Sequence, residues 1–332
     1  MLKIRNYCTA LATPRPLLLS VNKPQNRSGM KPRLYLYLFL AAGCALSSCS
    51  TVQQQCYYVS PINGHPNDYQ PLPQTIDSAR TAVYAHAAFL NGGANQDRTD
   101  GVKAFRTSVT VAHHTGILQA YYGADLTLGT YHLGKWDTFY KVPLLRAIPP
   151  ANMAFLNSQS GNRSFGGVGF KGGANLVWSF PRWEWRYIGM ETSMHQEFGE
   201  YLSFRKKLPD TAATLNIRNP FFATLGFSTE IVRRTWHGEW GFRFATGWAL
   251  GDAYRNTEVY DYESGKKLKY WYGNFSFHYT YGRYTGYLQL NGASQARSLN
   301  IGVHYRFTRP RNDTEAQFPR HRHYRKRNWF GE

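Results

Sequence analysis

The feature that most constrains this chain is a repeated alternation of apolar residues with small or polar ones. One face of residues 298–307 is apolar and consists of Leu299, Ile301, Val303, Tyr305 and Phe307. Its other face is small or polar and consists of Asn300, Gly302, His304 and Arg306. Because successive side chains of a strand point to opposite faces, this segment predicts a strand between an apolar and a polar environment. A soluble β-sandwich and a membrane barrel both contain such strands.

Nine further segments alternate in the same way and are predicted to be strands. They are residues 81–90, 102–114, 117–132, 164–180, 184–204, 221–234, 238–250, 269–281 and 284–291. Segment 117–132 alternates over its whole length, which is longer than most strands of soluble proteins. The chain therefore favours a barrel over a sandwich.

The predicted connections support the same choice, because long and tight ones follow each other in turn. The long ones are residues 91–101, 134–163, 205–220 and 251–268, the tight ones 115–116, 181–183, 235–237 and 282–283, and the moderate one 292–297. Outer-membrane barrels have short periplasmic turns, longer outer loops and an even number of strands. We predict an all-β fold, a transmembrane antiparallel up-and-down β-barrel of about 10 strands (about 8–12) over residues 81–307.

The last predicted strand carries a recognisable signal. Asn300-x-Gly302-x-x-Tyr305-x-Phe307 resembles the final strand of Gram-negative outer-membrane barrels. Asp77-Ser78-Ala79 and Asp210-Thr211-Ala212 resemble the short O-glycosylation motif of Bacteroidota. The resemblance is to an outer-membrane β-barrel lipoprotein, with no particular characterised family matched. It implies assembly by the barrel-insertion machinery and supplies no activity.

The N-terminal region resembles a bacterial lipoprotein signal. Lys31 and Arg33 precede an apolar run over residues 34–46, and Leu46-Ser47-Ser48-Cys49 follows. Translation is expected to begin at Met30, residues 1–48 to be a leader, and Cys49 to be lipidated. An ordinary secretory signal is the alternative, and Cys44 is a second lipidation candidate.

The remaining segments outside the barrel are interpreted from composition. Residues 57–74 are rich in Pro, Gly, Asn and Gln, so residues 49–80 are predicted to be a flexible periplasmic tether. Loss of Cys8 and Cys44 with the leader and acylation of Cys49 leave Cys56 alone, without a disulfide framework. Of the formal net charge of +19, the leader carries +7, residues 308–332, a basic periplasmic tail, carry +4, and the middle of the chain carries the other +8, a moderate excess. This tail is either solvated or docks acidic partners, and no nucleic-acid motif accompanies it.

Charged residues are predicted on the inner face of the barrel. They are Arg106, Asp125, Lys171, Glu191, Glu197, Glu230, Glu239, Arg243 and Arg306. Buried charges must be paired, so a structural ion-pair network is one interpretation. A polar passage or ligand site whose charges set selectivity is the other.

Two of the inner positions resemble a catalytic pair. Ser193 and His195 are weak candidates for nucleophile and base, with Glu191 or Glu197 as the orienting carboxylate. Barrel enzymes that deacylate lipid A use the order His-x-Ser, which this chain reverses. No catalytic residues, no cofactor and no metal site are predicted, since CxxC, HExxH and P-loop motifs are lacking in the sequence.

These observations favour a location in the outer membrane, with the N-terminal lipid anchor and the C-terminal tail both in the periplasm. The expected function is a non-enzymatic scaffold or accessory subunit of an envelope complex, including a role in secretion. A narrow pore for small solutes and a lipid-modifying barrel enzyme are the alternatives. The expected partners are outer-membrane lipids, the barrel-assembly machinery and an envelope protein complex, and nucleic acid is not among them.

Overall fold

The structure is a computed structural model that describes only part of the chain. The described ranges are residues 57–62, 67–74, 80–95, 99–135, 150–209, 213, 215–235, 237–250, 270–293 and 296–308. All of them belong to one structural unit, Val52–Glu332. The predicted leader, Cys49 and the basic tail from residue 309 onward lie outside the described residues.

Strands dominate the described ranges. The strands are β1 (Tyr57–Tyr58), β2 (Thr81–Ala94), β3 (Asp100–Thr115), β4 (Leu118–Leu133), β5 (Gly161–Phe180), β6 (Trp183–Phe198), β7 (Leu215–Asn216), β8 (Phe221–Thr235), β9 (Gly238–Leu250), β10 (Trp271–Tyr281), β11 (Tyr284–Ala293) and β12 (Ala296–Arg306). The helices are α1 (Pro150–Ser158) and α2 (Glu200–Lys207). No helix within these ranges is both long and apolar enough to cross a bilayer.

Ten of these strands form one closed sheet. Each long strand pairs antiparallel with its neighbours, and β12 returns to β2, where Ile301 lies opposite Phe89. A closed sheet leaves no row of unpaired backbone groups, which is what a sheet needs in order to exist in lipid. The prediction of an antiparallel barrel of about ten strands is confirmed.

The two rims of the barrel differ. The connections after β2, β4, β6, β9 and β11 lie at one rim, called here the loop end. The tight connections after β3, β5, β8 and β10 lie at the other rim, called here the turn end. The predicted moderate connection at residues 292–297 is wrong, because β11 and β12 stay paired up to Ala293 and Ala296.

The outer face of the barrel is an exposed apolar belt. Phe170 is 73% exposed near the middle of β5, and Met190 on β6 is 54% exposed. The belt also contains Phe89, Phe105, Val109, Leu128, Val168, Met194, Phe227, Ile301 and Val303. Soluble proteins rarely leave so large a continuous apolar surface in water. The predicted alternation of outward apolar and inward polar residues is confirmed on these strands.

Two local departures from the predicted strands occur on β6. The predicted strand over residues 184–204 is wrong at its end, because β6 stops at Phe198 and α2 follows. Gly199 has φ 114°, a conformation that suits glycine and breaks the strand. Arg205, Lys206 and Lys207 then occupy the last turn of α2, where basic side chains interact favourably with the helix dipole.

The second departure is a bulge in the first half of β6. The pairing of β6 with β8 shifts between Arg186 and Gly189, so the alternation changes phase there. Glu184 and Arg186 consequently point inward, although they have the same parity as the outward Met190 and Met194. The bulge therefore adds a carboxylate and a guanidinium to the lumen.

Candidate functional site

The lumen of the barrel is filled by the chain that precedes its first long strand. Every residue of 57–62 and 67–74, here called the lumen segment, is buried. The interpretation of these residues as a flexible tether is wrong. Backbone groups removed from water need partners, and the inward side chains of the barrel supply them.

The lumen segment runs from the loop end to the turn end. At the loop end, the Tyr57 backbone N–H donates to Asn95 Oδ1 at 2.7 Å, and Asn95 Nδ2 donates to the Tyr57 carbonyl at 3.0 Å. At the turn end, Arg234 donates to the side-chain oxygen of Gln74. Asn95 directly follows β2, and Arg234 lies next to the tight turn after β8. The segment therefore passes through the barrel from rim to rim.

Asp68 holds the middle of the lumen segment. Its Oδ1 accepts a hydrogen bond from Arg106 Nη1 at 2.9 Å and another from Asn300 Nδ2 at 2.7 Å. Gln289 Nε2 donates to the neighbouring carbonyl of Asn67 at 2.9 Å. Asp68 and Arg106 are 6% and 3% exposed, so their charges interact outside bulk water. This ion pair fixes the register of the segment against β3.

Tyr69 contacts three strands of the barrel wall. Its hydroxyl donates to Glu230 Oε1 at 3.0 Å, and its ring stacks on His278 with 4.3 Å between centroids. Its carbonyl accepts a hydrogen bond from His304 Nε2 at 2.7 Å, which places the proton of that imidazole on Nε2. Strands β8, β10 and β12 thus all contact this one residue.

A buried charged cluster closes the turn end. Arg186 donates to Glu230 Oε2 at 2.6 Å, to Glu184 Oε1 at 3.0 Å and to the Leu72 carbonyl at 3.3 Å. Gln119 Nε2 donates to the Pro73 carbonyl at 2.9 Å and to Glu184 Oε1 at 2.9 Å. Arg234 forms a further ion pair with Glu184 at 3.3 Å. The lumen segment and the barrel wall share this cluster, so the polar groups of each depend on the other for hydrogen-bond partners.

An apolar cluster covers the loop end. Its buried members include Tyr58, Tyr131, Leu156, Tyr201, Phe204, Leu208, Ile217, Phe222 and Tyr270. The Tyr131 and Tyr201 rings stack at 4.0 Å, and Phe204 lies edge-on to Tyr58 at 5.5 Å. Strand β1 also pairs with β7, a strand of the long connection between β6 and β8. The lumen segment and the loops therefore share one core.

Helix α2 is held against β5, β6 and the chain before β8 by three polar contacts. Arg205 is fully buried, forms an ion pair with Glu197 and donates to the Ile217 carbonyl at 2.6 Å. Glu200 accepts a hydrogen bond from the Ser164 backbone N–H at 3.0 Å. That hydrogen bond lowers the pKa of the Glu200 carboxyl below its usual value.

The structure divides the predicted inner charges among separate partners. Glu191 pairs with Arg243, Asp125 pairs with His195 at 3.0 Å, and Glu197 pairs with Arg205. Arg106 and Glu230 bind the lumen segment, as described above, and Lys171 is buried on the same inner face. Glu239 and Arg306 lie near the turn end, where Glu239 is partly exposed and Arg306 donates to Thr308 at 3.2 Å.

The structure does not bring the weak catalytic candidates together as a pair. The Ser193 hydroxyl lies 2.7 Å from the Thr224 hydroxyl, whereas His195 Nε2 lies 3.0 Å from Asp125 Oδ2. Both side chains are at most 1% exposed. Among the described residues, no group of three or more His, Cys, Asp or Glu side chains could hold a metal ion.

The residues of the final-strand signal divide between the two faces of β12. Asn300 binds Asp68, and Gly302 leaves room for the Tyr287 ring, which a Cβ at this position would approach to 2.4 Å. Phe307, just after the strand, is 55% exposed, and Tyr305 is half-buried. Asn300 thus contacts the lumen segment, and Gly302 makes room for an inward ring of the barrel wall; the assembly signal itself stays a prediction.

Several residues of the site were missed by the sequence analysis. Asp68 and Tyr69 lie in a segment interpreted as a tether, and Glu184 and Arg186 precede the bulge that reverses the alternation. One signal was available for the first pair. Residues 57–74 contain Tyr57, Tyr58, Ile62, Tyr69 and Leu72, which is more apolar and aromatic surface than a solvated linker usually carries.

These features define a closed antiparallel β-barrel of the outer-membrane type, with an apolar outside and a lumen filled by its own chain. No protein-family model matches the chain, and no curated protein matches it either.

Solved structures similar to this chain are barrels of bacterial surfaces. The translocator domain of the autotransporter NalP from Neisseria meningitidis is 10% identical over 83% of this chain and 95% of that one, with a TM-score of 0.35. The β-domain of the Bordetella autotransporter BrkA is 8% identical over 69% and 100%, with a TM-score of 0.36. Neisserial surface protein A is 12% identical over 69% and 98%, with a TM-score of 0.28. These similarities concern the fold alone.

Proposed function

We propose that the protein is an outer-membrane β-barrel that is closed to solutes by its own lumen segment and acts as a non-enzymatic scaffold in the cell envelope. The observation that carries this proposal is the burial of residues 57–62 and 67–74 inside the barrel. The inward side chains of the barrel form hydrogen bonds and ion pairs with these residues. A passage for solutes needs connected water, and here protein atoms occupy the lumen from Asn95 at one rim to Arg234 at the other. The surfaces left for partners are the loop end and the C-terminal tail.

The apolar belt supports the membrane location, and one substitution tests it. Phe170→Arg places a charge near the middle of the belt, where it is expected to destabilise a lipid-embedded barrel by about 2–4 kcal/mol. Ile117→Arg is the control, because Ile117 is 67% exposed in a tight turn at the rim. Urea unfolding of the two variants in lipid vesicles measures the difference. Equal stability of the variants and water solubility of the wild type without detergent would contradict the membrane location.

Conductance tests the closed lumen of the wild type. The purified full chain, inserted into planar lipid bilayers, is expected to give no current steps at moderate voltage. Regular steps from the wild type would instead establish the alternative function, a narrow pore. The inward charged side chains favour this alternative, because Arg106, Arg186 and Glu230 would line a polar passage if the lumen segment moved out.

Two assays test the scaffold role itself. Capture from detergent-solubilised envelopes is expected to return a stoichiometric partner that is lost when the chain ends at Thr308 or when residues 199–220 are replaced by a short turn. Recovery of no partner beyond those of an unrelated barrel would overturn the role.

Incubation with outer-membrane lipids is expected to release no hydrolysis product. A product that disappears in Ser193→Ala would identify an enzyme instead.

A further inference from the structure

We propose that Arg233 and two tryptophans at the turn end form a binding site for the phosphate group of an anionic glycerophospholipid. Trp183, Arg233 and Trp240 occupy neighbouring outward positions on β6, β8 and β9. The site is independent of the proposed scaffold role and rests only on the membrane location. It gives the barrel one specific lipid partner in addition to the general contact of its apolar belt with hydrocarbon.

The guanidinium of Arg233 is held between two aromatic rings. Its central carbon lies 5.2 Å from the ring centroid of Trp183 and 5.8 Å from that of Trp240. The two indole rings meet edge-on, with 6.4 Å between their centroids. A cation is attracted by the electron-rich face of an aromatic ring, and tryptophan is the strongest such partner. The rings therefore orient the Arg233 side chain before any ligand binds.

The hydrogen-bond donors of Arg233 are left for a ligand. A guanidinium carries five N–H donors, and among the residues that the structure describes no carboxylate forms an ion pair with Arg233. Glu184 and Glu239 adjoin the two tryptophans in the sequence, but they occupy inward positions of β6 and β9. Aromatic faces accept few of the five hydrogen bonds, so an anion at this point would gain both charge and geometry.

The position of Arg233 along the barrel corresponds to the level of the lipid headgroups. Trp183 is the first residue of β6, and Arg233 lies two residues before the end of β8. Both are beside tight turns, which face the periplasm in outer-membrane barrels, and an aromatic girdle marks the membrane interface there. An arginine side chain at such an interface directs its charged end toward the headgroups. Arg233 is thus within reach of phosphates of the periplasmic leaflet.

An apolar row lies directly beyond this cation, toward the middle of the membrane. Trp185, Ile231, Phe242 and Phe277 are neighbours on β6, β8, β9 and β10. Trp185, Ile231 and Phe277 are exposed on the outer face. Acyl chains attached to a phosphate at Arg233 would cover this row, whereas a free phosphate ion would gain nothing from it. The combination therefore fits a lipid phosphate.

The charge of this part of the rim favours an anionic lipid over a zwitterionic one. Arg182 is exposed in the turn before β6, and its carbonyl accepts a hydrogen bond from the Arg234 backbone N–H at 3.0 Å. A second cation thus lies beside the end of β8. A choline headgroup would add a further positive charge here, which costs Coulomb energy. Phosphatidylglycerol adds none, and its phosphate oxygens match the planar fork of a guanidinium.

Native mass spectrometry of the full chain in detergent tests this site. Phosphatidylglycerol, or phosphatidylcholine with the same acyl chains, is titrated, and the fraction of barrel that carries one lipid gives an apparent Kd. Arg233→Gln is expected to bind phosphatidylglycerol at least about tenfold more weakly than the wild type, because charge-assisted hydrogen bonds are lost. Phosphatidylcholine should bind the wild type more weakly and should be insensitive to this substitution. Arg80→Gln is the control, since Arg80 is an exposed cation at the same rim.

Each other outcome would contradict the site. Equal affinity of the wild type and Arg233→Gln for phosphatidylglycerol would overturn the proposal, and an equal loss in Arg80→Gln would assign the binding to diffuse surface charge. Displacement of the lipid by millimolar inorganic phosphate would assign the site to the free ion instead. The mobility shift of folded barrels verifies that each variant folds. The closed-lumen proposal fails separately, since conductance by the wild type would leave these affinities unchanged.

Discussion

Replacement of Arg186 by alanine is expected to lower the free energy of unfolding by about 3–5 kcal/mol. Arg186 is 2% exposed and is the ion-pair partner of both Glu184 and Glu230, at 3.0 and 2.6 Å. Without it, the two buried carboxylates lose a positively charged partner. The Leu72 carbonyl of the lumen segment also loses a hydrogen bond. Urea unfolding in lipid vesicles, followed by tryptophan fluorescence and by the mobility shift of folded barrels, measures the loss.

The matched control is Arg182→Ala in the tight turn between β5 and β6. Arg182 is exposed, so its truncation is expected to change stability by no more than about 0.5 kcal/mol. The two substitutions lie four residues apart in the sequence, and both replace an arginine by alanine. If both variants unfolded at the same urea concentration, the buried cluster at the turn end would not contribute as the structure indicates.

Removal of the lumen segment is expected to convert a silent barrel into a conducting one. A chain that lacks residues 57–74 keeps every barrel strand but loses the partners of Arg106, Glu230 and Gln289. Water is expected to replace these partners, because the inner side chains are charged or polar. In planar bilayers, the shortened chain should therefore give discrete current steps where the full chain gives none.

A second pair of variants tests the same prediction in the full-length chain. Asp68→Lys places a cation beside Arg106 and is expected to expel the segment and open the barrel. Asp68→Asn keeps the shape of the side chain and its contact with Asn300, so this variant should stay largely closed. A shortened chain that is folded by its mobility shift yet electrically silent, together with a silent Asp68→Lys, would contradict the account.

The barrel itself was predictable because its determinants are local and periodic. The bounds of β9, Gly238–Leu250, were predicted at both ends, since apolar residues alternate over the whole strand and tight-turn residues precede it. The bulge at Arg186 was not predictable from the alternation, because a single extra residue changes the phase and leaves the flanking pattern intact. Helix α2 was missed because the alternating pattern of β6 was extended past Gly199 to Phe204.

The contents of the site were harder to predict than its walls. The inward positions of Arg106, Asp125, Glu191, Glu230 and Arg243 follow from strand periodicity, but the partner of each depends on contacts between distant parts of the chain. The pairing of Asp68 with Arg106 joins positions that are 38 residues apart. A Pro- and Asn-rich composition is typical of linkers, yet it also suits a segment without secondary structure whose backbone is satisfied by side chains.

The most direct test of the threaded lumen is a photo-crosslink from its centre. The photoreactive amino acid p-benzoylphenylalanine replaces Tyr69 in the full chain, and a second variant carries it at Tyr281, which is 67% exposed at the turn end. Irradiation of the membrane-embedded Tyr69 variant should link residue 69 to peptides of β8, β10 or β12, where Glu230, His278 and His304 lie. The Tyr281 variant should give no link to residues 57–74. Crosslinks from position 69 only to other proteins, or none within the chain, would show that this segment lies outside the barrel.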